Sequence, residues 1–258
     1  MRRLTSVAHR LLGLLVFAVL VAAWWLGSQN SLNPFYPPLE VITQHFRDNW
    51  LFERVPGDLV PSMWRLAVGY LIGVAAGAGL GMLIGVRPRL RRAVTPVIDF
   101  MRSLPPTALI PTAIVVIGIG SSGKVGLIAL ACVWPVLLNT VTAVANLDVI
   151  WSQTAKAYRI SGWRYLRRVQ LPGALPQILA GARAALAVAL IMVVVTEMVG
   201  STEGIGHFVI QAQRTFALAD MWSGVLLIGL IGFAINALFV AVQRGLLRSH
   251  GPRGTTRS

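Results

Sequence analysis

Long apolar runs separated by short polar clusters dominate the chain. A helix needs about 20 apolar residues to cross a bilayer core. Six stretches meet that length: residues 10–27, 59–86, 97–119, 125–147, 174–199 and 221–243. The pattern predicts an all-α polytopic membrane protein with six transmembrane helices. Arg2, Arg3 and Arg10 precede the first stretch, as they would in a signal peptide. Trp24 and Trp25 occupy its exit, where a cleavage site would need small residues. Paired tryptophans fit an interfacial belt, so this stretch is expected to remain as a membrane helix. Residues 28–58 hold prolines, Glu40, Asp48, Glu53 and Asp58, and are read as a short surface helix with turns.

Charge sets the orientation. With the N-terminus inside, sixteen Lys and Arg fall on inner segments and four (Arg47, Arg54, Lys124, Arg214) on outer ones. Arg65, Arg102 and Arg183 lie in spans or at their edges. The excess on one side places both termini in the cytoplasm. The net charge of +14 is therefore a membrane signature, since the basic residues sit between apolar runs and not on one face of a soluble domain. No nucleic-acid partner is expected, and membrane lipid is.

Composition agrees: 55% of the 258 residues are hydrophobic and 12% are charged. A typical soluble domain carries about 25% charged residues. This excludes a disordered chain and an ordinary soluble enzyme. The one cysteine, Cys132, makes no internal disulfide, and His9, His45, His207 and His250 are scattered. No metal site is expected.

Several positions inside the spans stand out. Gly69, Gly73, Gly77, Gly81 and Gly85 recur every four residues, on one helix face. Such a face lets a second helix approach closely, so these five are read as helix-packing residues. Pro96, Pro105, Pro106 and Pro111 predict a broken third span. Irregular backbone at that depth belongs inside protein or along a cavity. Asp99 and Arg102 are spaced to pair. The fourth span carries Trp134, Pro135, Asn139 and Thr140. The fifth carries Arg183, read as snorkelling from the inner end, and Glu197 near the outer end. A carboxylate within a span faces a bundle interior or an aqueous cavity. Glu197 is either a path or gate residue or a satisfied inter-helix hydrogen bond. Asn139, Thr196, Glu197 and Met198 form the candidate translocation path.

The chain offers little for catalysis. Residues 118–124, from Gly118 to Lys124, imitate a phosphate-binding loop, but Val125 stands where Ser or Thr would hold Mg²⁺. The segment is read as a tight extracellular turn. Ser, His and Asp never gather on one expected face. No enzyme and no cofactor are therefore expected, and any ATP drive must come from a partner.

The inner loop at 148–172 reads DVIWSQTAKAYRISGWRYLRRVQLP. Ile150, Ala155 and Tyr158 are expected to share one helical face, and Ser161 and Gly162 to break the pattern. Trp163, Leu166 and Val169 resume it beside Arg164, Arg167 and Arg168. Two short helices joined by a glycine turn make a surface for another protein. The alternative is a basic amphipathic segment lying on anionic lipid.

This loop resembles the coupling region of the permease subunits of binding-protein-dependent ATP-binding-cassette importers. That region has Glu-Ala-Ala, a glycine, then Leu-Pro. Counted back from Leu171 and Pro172, the triplet falls on Gln153, Thr154 and Ala155, and the glycine on Arg159, so Gly162 is expected to make the turn instead. Residues 102–111, 135–140, 196–200 and 204–206 are similar to the nitrate, sulfonate and taurine branch.

The resemblance implies the type I importer fold and a bacterial inner-membrane location. It implies an ATPase subunit in two copies, which binds the ATP and Mg, docked on Gln153, Ala155, Lys156, Tyr158, Arg159, Gly162, Arg164, Leu171 and Pro172. It further implies an extracytoplasmic solute-binding protein and a permease homodimer. The solute would be an alkanesulfonate, taurine or nitrate; similar permeases serve thiamine-precursor pyrimidines and aromatic acids. An ion-coupled secondary transporter and a membrane enzyme are the rivals from other classes. The expected division is 1–57 (first helix and outer loop), 58–247 (permease core) and 248–258 (polar tail).

Overall fold

The computed structural model describes residues 2–250 other than 30, 32, 34 and 119, with side chains left aside for 2–11, 14, 17 and 248–250. The polar tail expected at 248–258 thus falls, beyond the backbone of 248–250, outside the described residues. Among the described residues every regular element is helical. Four helices are long and apolar enough to span a membrane. These are α3 (Val60–Gly85), α6 (Ser121–Ala145), α9 (Leu171–Gly200) and α11 (Leu218–His250). They match four of the six expected stretches. α1 (Arg2–Ser28) holds the first, with Ala18–Ser28 as its described apolar part.

The third stretch is broken. α4 (Pro88–Ser103) and α5 (Ile110–Ile117), with a 3-10 turn at Pro106–Leu109, meet at a bend of 81°. The cause is local. Pro105 and Pro106 push the residues before them out of the helical region, and Leu104 sits at ψ 122° and Pro105 at ψ 123°. Pro96 lies inside α4 without ending it, and Pro111 falls in the first turn of α5, where a missing N–H costs nothing. The expected burial of this segment is not met within one chain. Ile110 enters the core and Ala113 and Ile114 pack against it, but Val115, on the opposite face of α5, is 84% exposed.

The bundle is built on α3, α6 and α9. Each glycine of the α3 face stands against α6: Gly69 on Ile128, Gly73 on Cys132, Gly77 on Val133 and Val136, Gly81 on Thr140, Gly85 on Val144. A β-carbon on any of them would come within 2.5–2.7 Å of an α6 atom. Both helices therefore use a four-residue register, and the missing side chains set the distance between them. Gly181 of α9 packs in the same way on Pro135 and Asn139 of α6. Ile128, Val136, Ala185, Ala189 and Met192 close the core.

The segment expected to form an outer loop is better anchored than a surface helix. α2 (Leu39–Asp48) buries Ile42, and the π-helical turn Asn49–Glu53 buries Trp50. Trp50 packs edge-on against Phe208 of α10 (Ile205–Arg214) at 4.9 Å between centroids and donates to Ser223 of α11 at 3.2 Å. His45 and Asn49 both reach Asp220 of α11 at 2.7 Å.

Candidate functional site

At one end of the bundle the starts of α3 and α6 meet the end of α9 and the start of α10. Arg65 and Glu197 form an ion pair there at 2.8 Å, with side chains 2% and 0% exposed. Ser62 donates to Glu197 Oε2 at 2.7 Å, and the Gly206 amide donates to the same oxygen at 3.1 Å. Arg65 also holds Ser121 Oγ, through Nε at 3.2 Å and Nη2 at 3.0 Å, and pairs with the Glu203 carboxylate. Asp58 accepts from the Gly204 amide at 2.9 Å, and Ser62 Oγ from the Ile205 amide at 2.9 Å. The free amides of the α10 N-terminus thus point at two carboxylates and a hydroxyl, which a helix N-terminus favours.

The Gly-Ile-Gly stretch at 204–206 follows from this packing. Gly204 sits at φ 111°, which side chains resist, and a β-carbon on it would collide with the Glu197 carboxylate. One on Gly206 would strike the Val194 carbonyl. The phosphate-loop imitation also ends here. Lys124 is buried, and its Nζ donates to Ser201 at 2.8 Å.

Sequence reasoning singles out Glu197 but not Arg65 and Ser62, which bond to it, nor Ser121, Glu203 and Asp58, which complete the network around them. One signal was available. Arg65 and Glu197 are opposite charges inside apolar runs at the same expected depth, and an intramembrane charge must find a partner. The serines carry no such signal.

The other path residues lie apart. Thr196 is buried, and its hydroxyl returns to the Met192 carbonyl at 2.8 Å, one turn back. Met198 is half-buried. Neither Thr196 nor Glu197 reaches an open surface of the chain. Asn139 does, at the α6–α9 edge, where it donates to Pro135 O at 2.8 Å and accepts from Gln177 at 3.0 Å. Arg183 is not at the inner end: its Nε donates to Asn236 of α11 at 3.1 Å. Asp99 and Arg102 pair at 3.2 Å on an exposed surface, where such a pair contributes little.

At the opposite end stands the loop of the resemblance. α7 (Val149–Ala157) is capped by the Asp148 carboxylate, which accepts from the Ile150 amide at 2.9 Å. α7 closes with a Schellman motif. The Ile160 amide donates to Ala155 O at 2.8 Å and the Arg159 amide to Lys156 O at 3.0 Å. Arg159 occupies the left-handed position at φ 51°, where a glycine is the usual residue. The expectation that Gly162 replaces that turn needs correcting. Both residues are left-handed: Arg159 ends α7, and Gly162, at φ 58°, opens α8 (Gly162–Tyr165). A π-helical turn at Leu166–Gln170 then leads into α9.

The expected shared face of Ile150, Ala155 and Tyr158 is also corrected. Ala155 is buried, while Ile150 and Tyr158 are exposed, because the three lie at different angles around so short a helix. Gln153, Lys156, Arg159, Gly162 and Arg164 are exposed too, Leu171 is partly so, and Pro172 is half-buried. The loop is fastened to the spans through Gly173. A β-carbon there would stand 2.5 Å from Leu147 and 3.3 Å from Trp151.

Known proteins are similar to this chain in sequence and in fold. The family model described as the binding-protein-dependent transport system inner membrane component matches residues 69–249. The taurine transport system permease protein TauC of Escherichia coli is 30% identical over 91% of this chain and 88% of its own length. The nitrate import permease protein NrtB of Leptolyngbya laminosa is 27% identical over 87% and 83%. A chain of the MetNI methionine ABC transporter in an inward-facing conformation superposes with a TM-score of 0.62, at 20% identity, over 77% of this chain and 96% of its own length.

Proposed function

Because the chain belongs to the family of binding-protein-dependent transport system inner membrane components, we propose that it forms the membrane path for a small anionic solute of the alkanesulfonate, taurine or nitrate type. The chain is a multi-pass membrane protein and the permease subunit of an ABC importer. The anion class rests on relatives named for taurine and nitrate.

In this reading two copies pair around one path in a bacterial inner membrane, with six spans each and both termini cytoplasmic. Two ATPase subunits bind ATP and Mg beneath them, and an extracytoplasmic binding protein delivers the solute. The exposed apolar flanks of α5 and α11 leave surface for a second copy and for lipid. The observation that carries the reading is the loop between α6 and α9. Tyr158 and Trp163 are 76% and 71% exposed beside the exposed Arg164, Arg167 and Arg168, on a unit wedged against α9 at Gly173. Aromatic side chains with arginines, presented on a fixed mount, suit a protein partner. Closure of the ATPases on ATP would move α7 and α8, and the contact of Trp151 with Gly173 would pass that displacement to α9. The Arg65–Glu197 network at the other end ties α3, α6, α9 and α10 together, so that they answer as one body.

The test is purification of the tagged chain from its host in a mild detergent, with partners identified by mass spectrometry. A stoichiometric ATPase with its own phosphate-binding loop is expected. Recovery of the permease alone under conditions that preserve complexes would favour a self-contained transporter.

A further inference from the structure

Among the described residues, Arg183 is the one guanidinium in the bundle's middle layer. Tyr70, ten residues into α3, donates to Ala182 O at 3.1 Å. Cys132, eleven residues into α6, reaches Ala185 O at 3.4 Å. At 1.5 Å per residue, both stand about 15 Å from one end of their helix and about 20 Å from the other. The turn of α9 that carries Arg183 is level with those midpoints. Asn236, its partner, is eighteen residues into the 33-residue α11.

A charge at this depth is expensive and marks a site by default. Arg65 meets that cost with two carboxylates. Arg183 does not: among the described residues no carboxylate pairs with it. Asn236 takes its Nε, and within the described chain the two terminal amino groups donate to nothing. The exposed Arg183 lines a cleft of about 280 Å³ between α3, α9 and α11, walled by Leu66, Ala187, Leu190, Gly232 and Ile235. The remaining edge of the guanidinium is a planar pair of donors, which matches two oxygens of a small oxyanion. The apolar walls strip water from such an ion and strengthen the contact. An acidic lipid headgroup would lie half a bilayer away.

We infer that Arg183, held in orientation by Asn236, is the point within the membrane where this permease holds a small oxyanion in transit. The inference rests on the oxyanion-import reading above and assigns that reading a binding residue.

The test reconstitutes the whole transporter, with its ATPase and binding protein, in phospholipid vesicles. It follows ATP-driven uptake of taurine, ethanesulfonate, nitrate and bicarbonate. Arg183→Gln is expected to lower uptake of the transported anion roughly tenfold to a hundredfold, the worth of one charge-assisted contact. ATPase stimulation by the loaded binding protein should persist. Arg183→Lys should recover part of the uptake, and Asn236→Ala should raise KM. Wild-type uptake by Arg183→Gln would overturn the site. So would failure of both Arg183→Gln and Arg183→Lys to assemble, which would make the role structural. A wild-type transporter that imports none of the four anions would instead sink the oxyanion reading itself.

Discussion

The two ends of the bundle treat charge in opposite ways. At one end Arg65, Glu197 and Ser62 satisfy one another in buried positions, with the exposed Ser121 and half-exposed Glu203 at the rim. At the other, Arg164, Arg167 and Arg168 stand exposed beside Trp163, with no carboxylate pairing with them among the described residues. The first arrangement fastens helices, because a buried charge that loses its partner is costly. The second costs the isolated chain little and is available to a partner. One end reads as a fixed joint, the other as a handle.

The largest effect expected is at the joint. Glu197→Ala strands Arg65 with the half-exposed Glu203 and removes the anchor of the α10 amides. It should destabilise the permease by about 3–5 kcal/mol, seen as a lower thermal midpoint in detergent and poor recovery of folded protein. Unchanged stability with lost uptake would make Glu197 a path residue and dissolve the contrast.

Next comes the handle. Replacing Arg164, Arg167 and Arg168 together by Glu should release or uncouple the ATPase. The thermal midpoint of the permease should hardly move, since exposed substitutions stay within about 0.5 kcal/mol each. Co-purification and coupled ATPase assays read the first effect. A complex that stays intact and coupled would return these arginines to a role on lipid.

The smallest effect sharpens the handle's own geometry. Arg159→Gly relieves a left-handed residue at the end of α7. It should raise stability by about 1 kcal/mol, measured as the denaturation midpoint, while the ATPase stays bound. A loss of stability would mean that the Arg159 side chain holds the loop.

Much of this was legible in the chain. Apolar length located α3, α6, α9 and α11 because a bilayer core has a fixed thickness. The four-residue glycine spacing located the α3 contact face, since helical periodicity depends on the chain alone. The proline pair located the bend between α4 and α5 through its effect on the preceding residues. Other features were not legible, and each depends on residues far apart in sequence. Arg65 and Glu197 are 132 positions apart. Nothing local says which of Arg65 and Arg183 meets a carboxylate from a distant helix and which is left open. That choice is made when α3, α6, α9 and α10 bring Ser62, Ser121, Glu197 and Glu203 around Arg65, while α11 offers Arg183 only an asparagine. The spans, the close-packed face and the break follow from the chain alone, because periodicity, length and proline act along one helix. Where charge is cancelled and where it is kept is settled only by folding, because it depends on which parts of distant helices meet.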